Sequence, residues 1–142
     1  MGKGYRVPGE SNLAKLLRNM EPELHDGVFV FGSIPADNEI PAALRPVYLF
    51  REREGITLVV RREEAEGAGL SYQFASRLIT LTVHSSLEAV GFLAEITGRL
   101  AEAGISVNAV SAYYHDHLFV PDHRADEALQ LLQAMAGPAP KP

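Results

Sequence analysis

The sequence predicts an α+β fold built from two copies of one β-α-β-β-α unit. Between Arg77 and Arg124, a strand, a capped amphipathic helix and two short strands joined by a polar turn follow one another. The first half has strands at matching landmarks, although prolines interrupt its middle. Nearly half of the 142 residues are hydrophobic, so the chain can form a real core.

The chain is expected to begin with a short helix and a buried strand. Ser11 can cap a helix that carries its leucines on one face and ends at Glu21-Pro22. Val28 to Phe31 is apolar on both faces, which is typical of a buried strand. Three prolines within residues 32–46 exclude a long helix there.

A hairpin and a brief helix complete the first half. Val47 to Arg51 and Ile56 to Arg61 flank the polar turn Glu52-Arg53-Glu54-Gly55, which predicts two paired strands. Arg62 to Ala68 predicts a brief helix that stops before Gly69.

The second half opens with a strand and a longer helix. Arg77 to Val83 alternates apolar and polar residues, as a half-buried strand does. Ser85-Ser86-Leu87-Glu88 has the pattern of a capping box, so we expect the helix to start there and run to about Ala103. Gly104 is placed for a left-handed C-cap.

Two strands, a helix and a tail are expected to follow. Ile105 to Tyr114 predicts a strand, His115-Asp116 a turn and His117 to Val120 the returning strand. Asp122 can cap a last amphipathic helix. The Pro-rich residues 137–142 are expected to form a disordered tail.

These elements divide the chain into two units. Residues 1–72 are expected to form the first unit, with a shortened middle helix and an added N-terminal helix, and residues 73–136 the second. Each unit is too small to be stable alone, so the two should pack side by side and share sheet edges or helices. A single continuous α+β domain is the alternative interpretation.

Composition excludes several classes of function. The chain has no cysteine, which excludes disulfides, iron–sulfur clusters and thiol nucleophiles and is compatible with the cytoplasm. The net charge of −5 argues against nucleic acid and anionic membranes as partners. The N-terminus resembles no signal peptide, and no apolar run is long enough to span a membrane. Motifs typical of nucleotide-binding loops, serine hydrolases and zinc proteases are absent.

Candidate binding residues lie where the second unit's first strand meets its helix. The free amides and the dipole at a helix N-terminus favour a carboxylate, and an amino-acid carboxylate would suit them. We expect the ligand to be held by His84, Ser85, Ser86, Leu87, Val90 and Gly91. Capping alone would also explain the serines, and tight packing would also explain Gly91.

Further candidates lie on strands and loops. Asn108 and Ser111 interrupt an apolar strand and could donate hydrogen bonds across an interface, or could simply face solvent. Gly32, Ser33 and Ile34 occupy the matching loop of the first half and could bind pseudo-symmetrically, or form a plain turn. His115 and His117, with Asp116 and His123, are the best metal candidates, although a solvated turn is the simpler interpretation and we expect no metal or other cofactor.

The chain resembles bacterial proteins with paired ACT domains. VHSSLEAVGFLAEITGRLAEAGISVNAVSAYYHDHLFVP resembles their second half, and MEPELHDGVFVFGSIP with FREREGITLVV their first. The resemblance covers residues 11–136, and the A-x-A-G-I-S-x-N pattern from Ala101 to Asn108 is its strongest part. The chain departs from the family's usual Pro-Gly, since Val90-Gly91 stands in that place. The resemblance implies ferredoxin-like βαββαβ units, with antiparallel sheets and helices on one face, that bind amino acids or other small effectors at interfaces between copies.

These observations favour a non-enzymatic sensor. We expect a cytoplasmic homodimer that binds a small effector, most plausibly an amino acid, and that has neither catalytic residues nor nucleic acid or membrane partners. A ligand-free interaction module acting on a metabolic enzyme is one alternative, and a small histidine-based metalloprotein is the other. An RNA-binding domain of similar layered topology is disfavoured by the acidic balance of the chain.

Overall fold

A computed structural model describes residues 12–137 of the chain. The predicted cap Ser11 and the predicted tail beyond Gly137 lie outside the described residues. The elements, in chain order, are α1 Leu13–Asn19, β1 Glu21–Leu24, β2 Phe29–Ile34, β3 Tyr48–Arg51, β4 Ile56–Arg61, α2 Arg62–Gly67, β5 Tyr72–Thr82, α3 Phe92–Glu102, β6 Asn108–Ser111, β7 Asp116–Pro121 and α4 Ala125–Ala136, with a short 3₁₀ turn at Asp122–Arg124 before α4.

One antiparallel sheet of seven strands organises the chain. Its strands follow the order β3-β4-β2-β5-β7-β6, and β1 also pairs with β5. The predicted hairpin of the first half is confirmed, since Tyr48 pairs with Val59 and Arg51 with Ile56. The sheet and its helices confirm the predicted α+β fold class.

The long strand β5 belongs to both halves of the sheet. Along one edge, its first part pairs with β2 and its second part with β1, and its other edge pairs with β7. The strand order β3-β4-β2-β5 is therefore one ferredoxin-like set, and β6-β7-β5-β1 is a second. The fourth strand of the second set comes from the N-terminus of the chain.

The sequence analysis did not predict β1. Its four residues, EPEL, contain no β-branched side chain and include a proline, which is tolerated because β1 pairs through one edge to β5. Helix α1, assigned from the sequence to the first unit, contributes the fully buried Leu16 to the core formed by α3, α4, β5 and β7. The division of the chain at residue 72 remains a prediction, since β5 spans that point.

The four described α-helices pack on one face of the sheet, over two apolar clusters. The larger cluster joins α1, α3 and α4 to β5 and β7, and includes the fully buried Ile79, Ile96, Leu118 and Leu132. The smaller cluster places Ala65 of α2 against apolar residues of β2 and β4. Because strand side chains alternate between faces, the neighbours of these residues project to the other side.

The helix-free face carries an aromatic cluster. Phe29 and Phe119 are only 3% and 2% exposed there, although none of the described helices contributes to the cluster. The Phe31 ring packs between Phe119 and Phe74, with centroids 5.3 and 5.7 Å away. The sheet curls around these rings, so that Tyr48 and Val110, from the two outermost strands, approach the same cluster.

A local irregularity in the pairing of β2 with β5 orients the Phe74 ring. The register of β2 against β5 shifts between Phe29 and Phe31, and Phe74 adopts φ 63°, in the left-handed region. A bulge of this kind bends a strand and redirects a side chain. Here it brings the Phe74 ring against Phe31.

The strand after α3 is shorter than predicted. Gly104 has φ 74°, as expected of a left-handed C-cap, and the Ile105 amide donates to the Leu100 carbonyl at 3.0 Å. Ile105 is thereby held in the core, and the strand begins only at Asn108. None of the helices between residues 12 and 137 has the length and apolar composition that a bilayer crossing requires.

We predict that Leu16→Ala lowers the free energy of unfolding by about 2–5 kcal/mol, because it removes a fully buried side chain and leaves a cavity. Urea denaturation measures the change. Leu49→Ala is the matched control, since Leu49 is 36% exposed and should cost much less. A cost for Leu16→Ala as small as that of the control would show that α1 is not part of the core.

Candidate functional site

The loop before α3 differs from the predicted helix start. The capping-box prediction at Ser85 and Glu88 is wrong, because α3 begins at Phe92 and its N-cap is Gly91 with φ 89°. Ser86 accepts a hydrogen bond on Oγ from the Glu88 amide at 3.0 Å, and its carbonyl accepts from the Ala89 amide at 3.0 Å. These local bonds close a turn in place of the first helical turn.

The redirected loop changes which apolar residues are buried. Leu87, Val90, Ile96 and Leu100 recur at helical spacing, but Leu87 and Val90 lie before α3 and are 66% and 84% exposed. Ile96 and Leu100, which lie within α3, are fully buried. Gly91 supports this geometry through its conformation, because a Cβ there would have Leu13 Cδ2 at an ordinary 3.7 Å, whereas its φ is one that other residues rarely adopt.

A cavity of about 140 Å³ lies between this loop, the start of α3 and the β6–β7 hairpin. The first helical amides, those of Phe92, Leu93 and Ala94, belong to residues lining the cavity. The first hydrogen bond within the helix is made by the Glu95 amide to the Gly91 carbonyl at 3.0 Å, so the three preceding amides have no partner within the helix. The cavity therefore borders the positive end of the helix dipole.

The hairpin brings a carboxylate to the same cavity. Asp116 is 9% exposed, and its Oδ1 accepts a hydrogen bond from Ser111 Oγ at 2.6 Å. The two residues are directly opposite each other in the register of β6 and β7. Amide donors and a carboxylate thus lie on different walls of one small cavity, an arrangement complementary to a molecule with both charges.

Sequence reasoning assigned Asp116 to a turn and missed its place in this cavity. The residues Asp116, Leu118 and Val120 alternate along β7 and face the helices, where Leu118 and Val120 are fully buried. Extending that alternation back by two residues would have placed Asp116 on the buried face. A carboxylate on a buried face is the pattern that could have identified it.

The cavity brings together five of the predicted binding residues. They are Ser85, Ser86, Leu87, Gly91 and Ser111. His84, Val90 and Asn108 are not among the residues that line it, and all three are exposed. Asn108 pairs with Phe119 at the start of β6, away from the loop before α3.

The predicted first-half residues form a different feature. Gly32 and Ser33 line an open groove of about 450 Å³ with residues of β4 and β5, whereas Ile34 packs against the smaller apolar cluster. A Cβ on Gly32 would meet Leu70 Cδ2 at 2.7 Å, so close packing accounts for this glycine. Among residues 12–137, none that lines the groove belongs to a helix N-terminus, so the groove does not repeat the geometry of the second-half cavity.

Two of the histidines, His25 and His117, form a hydrogen-bonded chain with Thr80 on the helix-free face. Thr80 Oγ1 lies 2.7 Å from His25 Nε2 and 2.9 Å from His117 Nδ1. Burial lowers the pKa of His117, nearby His115 and His25 lower it further, and Asp116 opposes them. No group of three or more histidine and acidic side chains positioned to hold a metal ion occurs within residues 12–137.

The chain is similar to known proteins over most of its length. Residues 8–77 and residues 73–134 match two models described as the ACT domain. A Vibrio cholerae protein of unknown function, described as a possible transport protein, has 46% sequence identity and a TM-score of 0.77; the match covers 87% of this chain and 95% of that one. No curated protein matches the chain.

More distant solved structures share the fold. An Agrobacterium tumefaciens protein is 17% identical with a TM-score of 0.72, and the match covers 82% of this chain and 89% of that one. The regulatory subunit of aspartate kinase from Thermus flavus is 11% identical with a TM-score of 0.59, over 80% of this chain and 95% of that one.

Gly91, which caps α3, and Gly98, which lies inside it, offer a matched test of the helix start. We predict that Gly91→Ala lowers stability by about 1 kcal/mol, because alanine is strained at positive φ. Gly98→Ala should instead raise stability by about 0.5–1 kcal/mol, since Gly98 lies inside the helix with open space around it. Thermal or urea unfolding of both variants would show the opposite signs. Equal, stabilising effects would place the helix start upstream of Gly91.

We predict that stability falls as pH drops below about 6.5, because His117 has a lower pKa in the folded chain than in the unfolded one. Below that pH, His117 binds a proton more readily in the unfolded chain than in the folded chain. Urea midpoints between pH 8 and pH 5 measure the slope, which His117→Gln should flatten. His123→Gln is the matched control for loss of an imidazole at an exposed position. An unaltered slope in the His117 variant would contradict the assignment.

Proposed function

Because the chain belongs to the ACT-domain family, we propose that it is a regulatory protein that binds a small free amino acid and catalyses no reaction. The observation that supports this most directly is the second-half cavity, where helix amides and Asp116 lie on different walls. Regulatory subunits of aspartate kinase are among the structural relatives, which agrees with a regulatory role.

The two polar walls select the two ends of an amino acid. The amides of Phe92, Leu93 and Ala94 suit an α-carboxylate, because they are unpaired within the helix and lie at its positive end. Asp116 suits an α-ammonium group, because a buried carboxylate with one hydroxyl partner is stabilised by a cation. Ser111 orients the Asp116 carboxylate and need not contact the ligand.

The size of the cavity favours a small side chain. A cavity of about 150 Å³ holds benzene, which has six heavy atoms. The cavity here, at about 140 Å³, therefore suits an amino acid of the size of alanine or serine. Leu87, Ala89 and Leu93 supply apolar surface for a methyl or methylene group.

Ligand binding would act by joining two separate elements. The loop and start of α3 lie on one side of the cavity and the β6–β7 hairpin on the other. A ligand that contacts both stabilises the arrangement in which they are close, and shifts the population toward it. This differential binding is the regulatory output that we propose.

We also propose that the protein acts in the cytoplasm as a homodimer. Apolar side chains are exposed along the edge strand β3, since Val47, just before it, is 51% exposed and Phe50, within it, is 55% exposed. An exposed apolar edge strand is prone to pair with another chain. The absence of cysteine is compatible with a reducing compartment.

The first test compares alanine and serine with propionate and ethylamine, which each lack one of the two charged groups. At about a hundred times its dissociation constant, a ligand adds about 2.7 kcal/mol of stability, which raises Tm by several degrees. We predict such a shift for a small amino acid and none for the truncated compounds. If no amino acid shifts Tm at millimolar concentration, the ligand-free interaction module becomes the better interpretation.

A charge-removing variant locates the site. Asp116→Asn should weaken amino-acid binding at least tenfold, because about 1.5–3 kcal/mol of charge-assisted hydrogen bonding is lost. Asp122→Asn makes the same chemical change at an exposed carboxylate just beyond the far end of β7 and should leave binding intact. Titration calorimetry measures both, and equal affinities in the two variants would place the ligand elsewhere.

A further inference from the structure

We propose that the helix-free face of the sheet holds a second ligand site, for a small, mainly apolar molecule that carries one hydroxyl group, such as an aromatic alcohol. The site is a cavity of about 270 Å³ between the curled edges of the sheet. It lies across the sheet from the amino-acid cavity and does not depend on the function proposed above.

Apolar side chains form most of the wall of this cavity. Tyr48 and Val110 come from the two outermost strands, and Leu78 and Phe119 from the strands between them. Apart from the Tyr48 hydroxyl, the polar side chain of the lining is His117. An apolar cavity of about 150 Å³ stays dry and binds benzene. The larger volume here leaves room for a substituted ring.

The curl of the sheet keeps this cavity open. The phenylalanine rings at its first-half end pack against one another, with Phe31 between Phe74 and Phe119. Phe119 therefore presents a fixed wall to the cavity and cannot swing in to fill it without leaving its partners. The described helices pack on the opposite face and supply no side chain to the lining.

His117 sets the polar requirement of the ligand. Its Nδ1 is hydrogen-bonded to Thr80 Oγ1, which is also bonded to His25 Nε2. The Thr80 hydroxyl has one proton, so with neutral rings it donates to one imidazole and accepts from the other. If Thr80 donates to His117, Nε2 of His117 carries a proton and is a donor; if the chain runs the other way, Nε2 is an acceptor.

A hydroxyl group fits this reversible partner better than other groups do. It can accept from Nε2 or donate to it, so it is satisfied by either direction of the chain. A carboxylate is disfavoured, because burial lowers the pKa of His117 and keeps the ring neutral near pH 7. A hydrocarbon offers the His117 ring no hydrogen-bond partner.

The test is an NMR titration of the full chain with benzyl alcohol and with ethylbenzene, which has the same shape without the hydroxyl. Benzyl alcohol should bind saturably and shift the amide signals of Val110 and His117. Ethylbenzene should bind roughly fivefold more weakly, because one hydrogen bond is lost. Absence of saturable binding by benzyl alcohol would overturn the proposal.

Two variants on β6 provide a matched control. Val110→Phe should fill the cavity and abolish binding of both probes. Ala109→Phe adds the same ring one residue earlier, on the opposite face of the strand, and should leave binding intact. If Val110→Phe binds benzyl alcohol as tightly as the native chain does, the site is not in this cavity.

A third variant tests the hydroxyl partner and does not rely on filling the cavity. His117→Leu should bring the affinities of the two probes together, and a preference that persists would overturn the assignment of His117. Alanine titrated into Val110→Phe reports separately on the amino-acid cavity, so that failure of one proposed site is distinguished from failure of the other.

Discussion

The pairing of β5 along both of its edges is the constraint on which the rest of the structure depends. Its eleven residues pair with β1 and β2 on one side and with β7 on the other. β5 thereby joins two four-stranded sets into one sheet, and each set would lack one of its four strands without β5. The pairing also fixes which side chains face the helices and which face the aromatic cluster, because alternation along a strand leaves no freedom once the register is set.

The β6–β7 hairpin shows what this alternation does for function. Ser111 and Asp116 are opposite each other and line the cavity beside α3, whereas the neighbouring pair Val110 and His117 lines the cavity on the other face. One short hairpin therefore serves as a wall for both cavities. Ala112, at the end of the hairpin strand, lines both of them.

The asymmetry between the halves follows from their connections. Between β2 and β3, where the second half has α3, the described chain has no α-helix and carries three prolines. The first half therefore lacks the helix amides that border the cavity of the second half. Gly32 and Ser33, although they match the second-half loop in sequence position, line an open groove instead.

Local patterns in the sequence determined a large part of this architecture. The strands β4 and β7, the brief helix α2, the end of α3 at Gly104 and the proline-interrupted connection all follow from alternation, helical periodicity or backbone restrictions that act over a few residues. The paired β-α-β-β-α order followed from the same patterns, whereas the ACT family followed from the resemblance of whole segments to its known members. Five of the predicted binding residues also line one cavity, because they lie close together in the loop and on the hairpin.

Tertiary structure alone decided the rest. The segment Glu21–Leu24 becomes a strand because β5 offers an open edge, and Gly91 rather than Ser85 starts α3 because local turn bonds redirect the loop. Asp116 enters the cavity through its register with Ser111, and the helix-free cavity exists because the curled sheet brings Tyr48 and Val110 together. The strand β1 and the helix-free cavity depend on contacts between residues far apart in the chain, and periodicity within a segment carries no information about such contacts. The start of α3 and the pairing of Asp116 with Ser111 depend on particular hydrogen bonds and on register, which periodicity does not specify either.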